Sequence, residues 1–99
     1  MKAATDKLSL SLRAIADPTR RKILRLLKPK AGVRSSDHPG MNASDIEQRV
    51  KLAQPTISHH MKILKQAGLI ETSKSGTWMW YKRNEPAIKA LRSNLQSEL

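Results

Sequence analysis

The sequence predicts a mainly α-helical fold with one β-hairpin, in which a helix-turn-helix precedes the hairpin. Between Pro55 and Gly68, apolar residues recur at every third or fourth position, as expected for one face of a helix. Another helical pattern ends a few residues earlier, and two helices joined by a short turn form a helix-turn-helix. After Gly68 the apolar period becomes alternating, which indicates strands. Because 99 residues suit one domain, we expect a single domain over residues 1–99.

Two helices are predicted in the first third of the chain, after a frayed start over residues 1–5. The first should run to about Ala16, and its apolar stripe comprises Leu8, Leu12 and Ile15. Asp17-Pro18 is a strong start signal for the second, because Asp caps free backbone N–H groups and Pro favours the first turn. The buried side of this second helix should comprise Ile23, Leu24 and Leu27.

A long loop and a third helix follow. The stretch from Lys28 to Asn42 contains two Pro and two Gly and has no periodicity, so we predict a loop without regular structure. Ser44 and Glu47 fit a capping box at the start of the third helix, which should bury Ile46 and Val50. The short connection from Lys51 to Ala53 then leads into the next helix.

The fourth helix has two contrasting faces. Pro55 suits its first turn and Gly68 a left-handed stop, while Ile57, Met61 and Leu64 form its apolar stripe. The other face has hydrogen-bonding and basic groups without a carboxylate: Thr56, Ser58, His59, Lys62, Lys65 and Gln66. Such a face suits the base edges and phosphates of a nucleic-acid groove, although a merely solvated face has the same composition.

A hairpin and a last helix complete the chain. The hairpin should have strands at residues 70–73 and 78–82 and a turn at 74–77, with Lys74 near its tip. Alternation places Trp78 and Trp80 on one face and Met79 and Tyr81 on the other. Glu85-Pro86 opens the last helix, whose stripe comprises Ile88, Leu91, Leu95 and Leu99.

Composition limits the class of protein and its partners. The chain has 19 Lys and Arg against 8 Asp and Glu, a formal charge of +11, which favours a polyanionic partner and above all nucleic acid. The longest apolar run, Trp78 to Tyr81, is far too short for a membrane span or a signal peptide. Without Cys the chain has no disulfide, thiol switch or thiolate metal site. We therefore expect a soluble cytoplasmic protein that does not bind a membrane.

Two segments resemble the ArsR family of winged-helix transcriptional repressors, in which the hairpin is the wing. They run from Ala14 to Leu27 and from Gln54 to Ile70. The resemblance implies a homodimer joined through the first and last helices, on a palindromic operator in double-stranded DNA. It also implies that the fourth helix lies in the major groove, where the base-reading positions match Gln54, Thr56, Ser58 and His59.

This sequence departs from the family pattern at the turn and at the sensor sites. Lys51 stands where Gly is common and Ala53 where a Ser cap is common, so we expect a strained or differently capped turn. The third helix lacks the Cys-containing ligand motif, and the last helix has no His. Neither metal site can be transferred, so the chain resembles a metal-independent type with no cofactor.

Other chemical functions have weaker support. His59 and His60 are adjacent, so their side chains diverge by about 100° on a helix and cannot hold one ion. We expect His60 to be partly buried and His59 to point outward. Asp37-His38 could ligate a metal with outside help, but such a pair is usually only solvated. No catalytic motif is present, so we expect no enzyme.

The two tryptophans of the hairpin allow two interpretations. Trp78 and Trp80 could stack on unpaired bases, as in proteins that bind single strands or RNA. On a two-stranded hairpin, however, one large aromatic face more often packs onto the domain, and we expect that arrangement.

The sequence therefore predicts a sequence-specific, homodimeric DNA-binding repressor without a metal or thiol sensor. We assign base reading to Gln54, Thr56, Ser58 and His59, and phosphate contacts to Lys62, Lys65 and Lys74. The alternative is a winged-helix interaction module that binds an acidic protein partner. The absence of acidic residues between Glu47 and Glu71 favours DNA.

Overall fold

The computed structural model describes residues 6–29 and 40–99, and within these ranges it contains five helices and three strands. The helices are α1 (Lys7–Ile15), α2 (Pro18–Leu26), α3 (Ala43–Val50), α4 (Gln54–Gln66) and α5 (Glu85–Glu98). The strands are β1 (Met41–Asn42), β2 (Ile70–Ser75) and β3 (Trp78–Arg83). The predicted class, mainly α with a hairpin wing after a helix-turn-helix, is confirmed. The frayed start predicted for residues 1–5 lies outside the described residues.

The caps of α1 and α2 explain where these helices begin. A carboxylate oxygen of Asp6 accepts from the backbone N of Ser9 at 2.7 Å, and Asp17 does the same for Arg20 at 3.0 Å. The predicted start of α2 is thus confirmed. In α1, the fully buried residues are Ser11 and Ala14, whereas Leu12 is 39% exposed. The apolar stripe predicted for α1 is therefore only partly covered by its own domain.

The start of α3 differs from the prediction. Asn42, not Ser44, is the N-cap: its Oδ1 accepts from the backbone N of Asp45 at 2.9 Å, and Asp45 Oδ2 accepts from the backbone N of Asn42 at 3.4 Å. The predicted capping box is wrong by two residues, because Asn and Asp have the same capping chemistry as Ser and Glu. Ile46 and Val50 are buried as predicted.

Strand β1 corrects the prediction that residues 28–42 form one irregular loop. Met41 pairs with Tyr81 and Asn42 with Trp80, so the sheet has three antiparallel strands in the order β1-β3-β2. A two-residue strand is too short to produce an alternating pattern in the sequence. Residues 30–39 of the predicted loop lie outside the described residues.

The hairpin turn is tighter than predicted. Ser75 pairs with Trp78, which leaves only Gly76 and Thr77 in the turn and places Lys74 in β2 opposite Met79. Gly76 has φ +61°, the left-handed conformation that two-residue hairpin turns require and that Gly adopts without strain.

The tryptophan face of the hairpin points away from the core, contrary to expectation. Tyr81 packs against the core, and Met79 and Tyr81 border the space next to α4. Trp78 and Trp80 therefore lie on the opposite face, and Trp78 is 53% exposed. The reason is register: β2 enters the sheet at the buried Ile70, so Thr72 and Tyr81, which share its face, turn toward the domain and the two tryptophans turn away.

The core joins all five helices to the sheet. Its buried apolar residues are Ala14, Ile23, Leu27, Ile46, Val50, Ile57, Met61, Leu64, Ala67, Leu69, Ile70, Ile88 and Leu91. The stripe predicted for α5 is confirmed at Ile88 and Leu91 but not at Leu99, which follows the helix and is fully exposed.

A buried arginine ties the end of the sheet to α2 and to the start of α5. Arg83 Nη1 donates to the carbonyl oxygen of Leu24 at 3.2 Å, and its Nε lies 2.8 Å from Glu85 Oε2. These contacts satisfy the charge of a side chain that could not otherwise be buried at low cost.

Gly40 and Gly76 provide a matched pair for testing the β1 contact. Gly76→Ala should lower the free energy of unfolding by about 1–2 kcal/mol, because Ala is strained at positive φ but meets no atom within 4 Å. Gly40→Ala should cost more than that. Gly40 also has positive φ, +87°, and a Cβ there would lie 2.1 Å from the carbonyl oxygen of Tyr81. Urea denaturation measures both; equal losses would contradict the close β1–β3 approach.

Candidate nucleic-acid interface

The turn between α3 and α4 has the strain that its sequence predicts. Lys51 has φ 60° and ψ 42°, a left-handed conformation in which Gly is favoured, and its N–H donates to the carbonyl oxygen of Glu47 at 2.7 Å. Ala53 is the N-cap of α4, and its side chain has no oxygen that could accept a capping hydrogen bond from the first turn. The protein therefore keeps a helix-turn-helix at this position without the usual Gly or capping hydroxyl.

The two faces of α4 are separated as predicted. Ile57, Met61 and Leu64 are buried in the core. All seven predicted DNA-contacting side chains are exposed: Gln54, Thr56, Ser58, His59, Lys62, Lys65 and, on β2, Lys74. Ile63, the one large apolar residue expected on the outer face, is half-buried and packs against the core. The exposed surface of α4 is consequently polar and basic.

A cleft of about 190 Å³ lies between α4 and the wing. Ser58, Lys62 and Lys65 line it from α4, and Met61 contributes from the buried stripe. On the sheet side the lining residues are Thr72, Met79 and Tyr81. The structure thus brings three of the predicted residues into one concave surface, whereas Gln54, Thr56, His59 and Lys74 do not line the cleft.

Thr72 and Tyr81 are the wing residues that the sequence analysis missed. They pair across the strands and border the cleft from the same side. Alternation starting at the buried Ile70 places Thr72 and Lys74 on one face, so the signal was present in β2. It could not be used without knowing which face of the hairpin turns toward α4.

The two adjacent histidines of α4 have different surroundings, as predicted. The His59 side chain is exposed, whereas that of His60 is 12% exposed and its Nδ1 lies 3.2 Å from Arg20 Nη1 and 4.0 Å from Asp17 Oδ2. Burial is the main cause that lowers the pKa of His60. The backbone N–H of Arg20 is the main cause that lowers the pKa of Asp17. Asp17 is therefore charged and His60 neutral near pH 7.

Neither a metal-binding cluster nor a membrane-spanning helix occurs in the part of the chain that the structure describes. In residues 6–29 and 40–99, no three His or acidic side chains are grouped in a way that could hold a metal ion. Asp37 and His38, the weak candidate from the sequence, lie outside these ranges. The same part of the chain contains no helix with the length and apolar character needed to cross a membrane.

Comparison with known proteins places this geometry in context. A family model described as a helix-turn-helix domain matches residues 15–73. The chain is 42% identical over 77 residues to the transcriptional repressor SdpR of Bacillus subtilis, covering 78% of this chain and 76% of the relative.

Solved structures show the same fold. A crystal structure of an ArsR family transcriptional regulator has a TM-score of 0.73 and 25% identity, covering 93% of this chain and 86% of the other. A solution structure of a domain from Mycobacterium bovis has a TM-score of 0.71 and 23% identity, covering 98% of this chain and 83% of the other. That domain is described as a homodimeric winged helix-turn-helix DNA-binding domain of a possible ArsR-family regulator.

Proposed function

This chain belongs to the helix-turn-helix transcriptional regulators of the ArsR winged-helix type, and from that premise we propose that it is a homodimeric, sequence-specific repressor. One observation supports DNA reading most directly: α4 has an exposed face that is polar and basic along its whole length, and this face adjoins a cleft beside the wing. The opposite face is held by the core, so the helix is rigidly presented.

We assign base reading to the exposed residues of α4 that end in hydroxyl, amide or imidazole groups. These are Gln54, Thr56, Ser58 and His59, whose side chains can donate to and accept from base edges in the major groove. Lys62, Lys65 and Lys74 are assigned to phosphates, where an ammonium group adds affinity without sequence preference. No carboxylate between Glu47 and Glu71 opposes the approach of DNA.

Dimer formation through α1 and α5 is supported by apolar surface that one copy leaves uncovered. Leu12 is exposed, Leu8 and Leu95 are half-buried, and an open apolar groove of about 270 Å³ lies between α1, α2 and α5. The groove is lined by six apolar side chains, Ile15, Leu24, Leu69, Ile88, Leu91 and Leu95, and by four arginines, Arg21, Arg25, Arg83 and Arg92. A second copy covering this surface would present two α4 helices, which matches a palindromic operator with half-sites one helical turn apart.

The alternative of a module that binds an acidic protein gains no specific support. A partner-binding helix normally exposes large apolar anchors, and the exposed positions of α4 have none. From the likeness to transcriptional regulators we also infer a non-enzymatic role, on double-stranded DNA in the cytoplasm.

A binding experiment tests this proposal directly. The protein is incubated with DNA from upstream of its own gene, with and without excess nonspecific DNA, and complexes are separated by gel electrophoresis. We expect a complex that survives the competitor and contains two protein chains. Loss of the complex when the nonspecific competitor is added would overturn sequence-specific repression.

Metal ions and thiol reagents should leave operator binding unchanged. The chain has no Cys, and the described residues provide no metal site. The measurement is operator affinity with zinc, arsenite, a chelator or a thiol reagent. A reproducible metal-dependent loss would contradict the prediction, and the variant His38→Ala would then show whether residues 37–38 take part.

A further inference from the structure

One side chain, that of Arg20 near the start of α2, contacts two other helices at once. Its Nε donates to the carbonyl oxygen of Ala14 at 2.6 Å, and its Nη2 donates to that of Arg13 at 3.1 Å. Both acceptors belong to the C-terminal turn of α1. Its Nη1 lies 3.2 Å from Nδ1 of His60, in the middle of α4. The guanidinium therefore connects the end of α1 to the helix that carries the proposed base-reading residues.

The contact between Arg20 and His60 requires a neutral imidazole of one tautomer. A guanidinium has only donors and remains charged at every physiological pH. Nδ1 of His60 must therefore accept, so the ring proton lies on Nε2. Protonation of Nδ1 removes the acceptor and brings a second cation against Arg20.

Three titratable or charged groups surround the His60 ring: Asp17 at the N-cap of α2, Arg20 on α2 and His59 on α4. Asp17 Oδ2 lies 4.0 Å from Nδ1, and the His59 ring centroid lies 5.9 Å from that of His60. Burial is the largest cause that lowers the pKa of His60 from 6.5; Asp17 opposes the shift, while Arg20 and His59 add to it. The ring is thus neutral at pH 7, and it gains a proton only as the pH falls below 6.5.

We propose that Arg20 is a positioning residue for DNA recognition, which holds His60 and thereby sets the rotation of α4 about its own axis. Consecutive side chains on a helix point about 100° apart, so a rotation at His60 redirects His59 and Ser58 by the same angle. Neither Arg20 nor His60 touches DNA in this scheme. The inference rests on the proposed function of α4.

A first experiment needs no DNA. NMR of the histidine side chains should show His60 as the Nε2–H tautomer with a pKa below 6.5 in the wild type. Arg20→Lys keeps the charge, but one ammonium group cannot reach Arg13, Ala14 and His60 together, so the preference for the Nε2–H tautomer should weaken and amide exchange in α4 should accelerate. An Nδ1–H tautomer in the wild type, or an unchanged spectrum in the variant, would overturn the proposed contact.

A second experiment measures affinity for operator and for random DNA. His60→Leu removes the acceptor, whereas His60→Asn keeps an acceptor oxygen at the position of Nδ1. Arg20→Lys and His60→Leu should weaken operator binding by roughly tenfold or more, the effect of one hydrogen bond to a charged group, with random DNA little changed. His60→Asn should restore most of the operator preference. Lys22→Arg, an exchange that also conserves charge, at an exposed residue of the same helix outside the groove, is the matched control.

The pH profile separates positioning from mere structural support. Operator preference should fall as the pH drops below 6.5 in the wild type but not in His60→Asn, which keeps an acceptor and cannot gain a proton; His59 is present in both proteins, so the difference reports on His60. Equal losses on both DNAs, or a change in thermal stability alone, would reduce Arg20 to a structural residue. If the wild type has no operator preference, the proposed function fails; the NMR result then decides whether Arg20 holds α4.

Discussion

Replacing Leu12 by Glu is expected to convert the dimer into monomers and to lower operator affinity by roughly 10²–10⁴-fold, the usual advantage of binding through two linked sites. Leu12 is 39% exposed on α1, so the charged side chain remains in water in the isolated copy and the fold survives. In the dimer the same carboxylate would be buried against apolar groups, which is unfavourable by several kcal/mol.

Analytical ultracentrifugation at micromolar concentration measures this effect, since one chain has a mass of 11.1 kDa. Leu52→Glu is the matched control, because Leu52 is 37% exposed but lies in the turn between α3 and α4. The control should remain dimeric. A wild type that sediments only as an 11 kDa species, or a dimer that survives Leu12→Glu, would contradict the interface on α1 and α5.

Base contacts and phosphate contacts should respond differently to Ala substitution. Ser58→Ala or His59→Ala should narrow the free-energy gap between operator and random DNA by about 1–3 kcal/mol, because only base contacts carry sequence information. Their effect on the salt dependence should be small. Lys74→Ala should weaken both DNAs alike and, by removing two charges from a symmetric dimer, should flatten the slope of log affinity against log salt by roughly two units.

A salt titration on both DNAs measures these differences. Lys89→Ala is the matched control for lost charge, because Lys89 is exposed and belongs to α5, not to α4 or the wing. If Lys74→Ala changed the slope no more than Lys89→Ala, the wing would not contact phosphate. If Lys74→Ala lost discrimination while the Ser58 and His59 variants lost only salt dependence, the roles of helix and wing would be reversed.

Much of the fold could be read from the sequence because its signals are local. Pro55 and Gly68 limit α4, and Asp17-Pro18 starts α2, since capping and backbone restrictions act within one or two turns. The exposed face of α4, which is the candidate site, could also be predicted from the sequence. The stripe of Ile57, Met61 and Leu64 defines the buried side of α4, so the exposure of Ser58 and His59 follows from helical periodicity alone. Their contacts with DNA remain predictions.

The tertiary structure decided the features that depend on which distant groups meet. The pairing of Met41 with Tyr81, the outward position of Trp78 and the contact between Arg20 and His60 each join segments about 40 residues apart, or depend on which face turns inward. Periodicity defines two faces of an element but does not say which neighbour covers each. The sequence by itself therefore determined the five helices, the hairpin and the exposed polar face of α4, whereas packing across the core determined what holds that face in place.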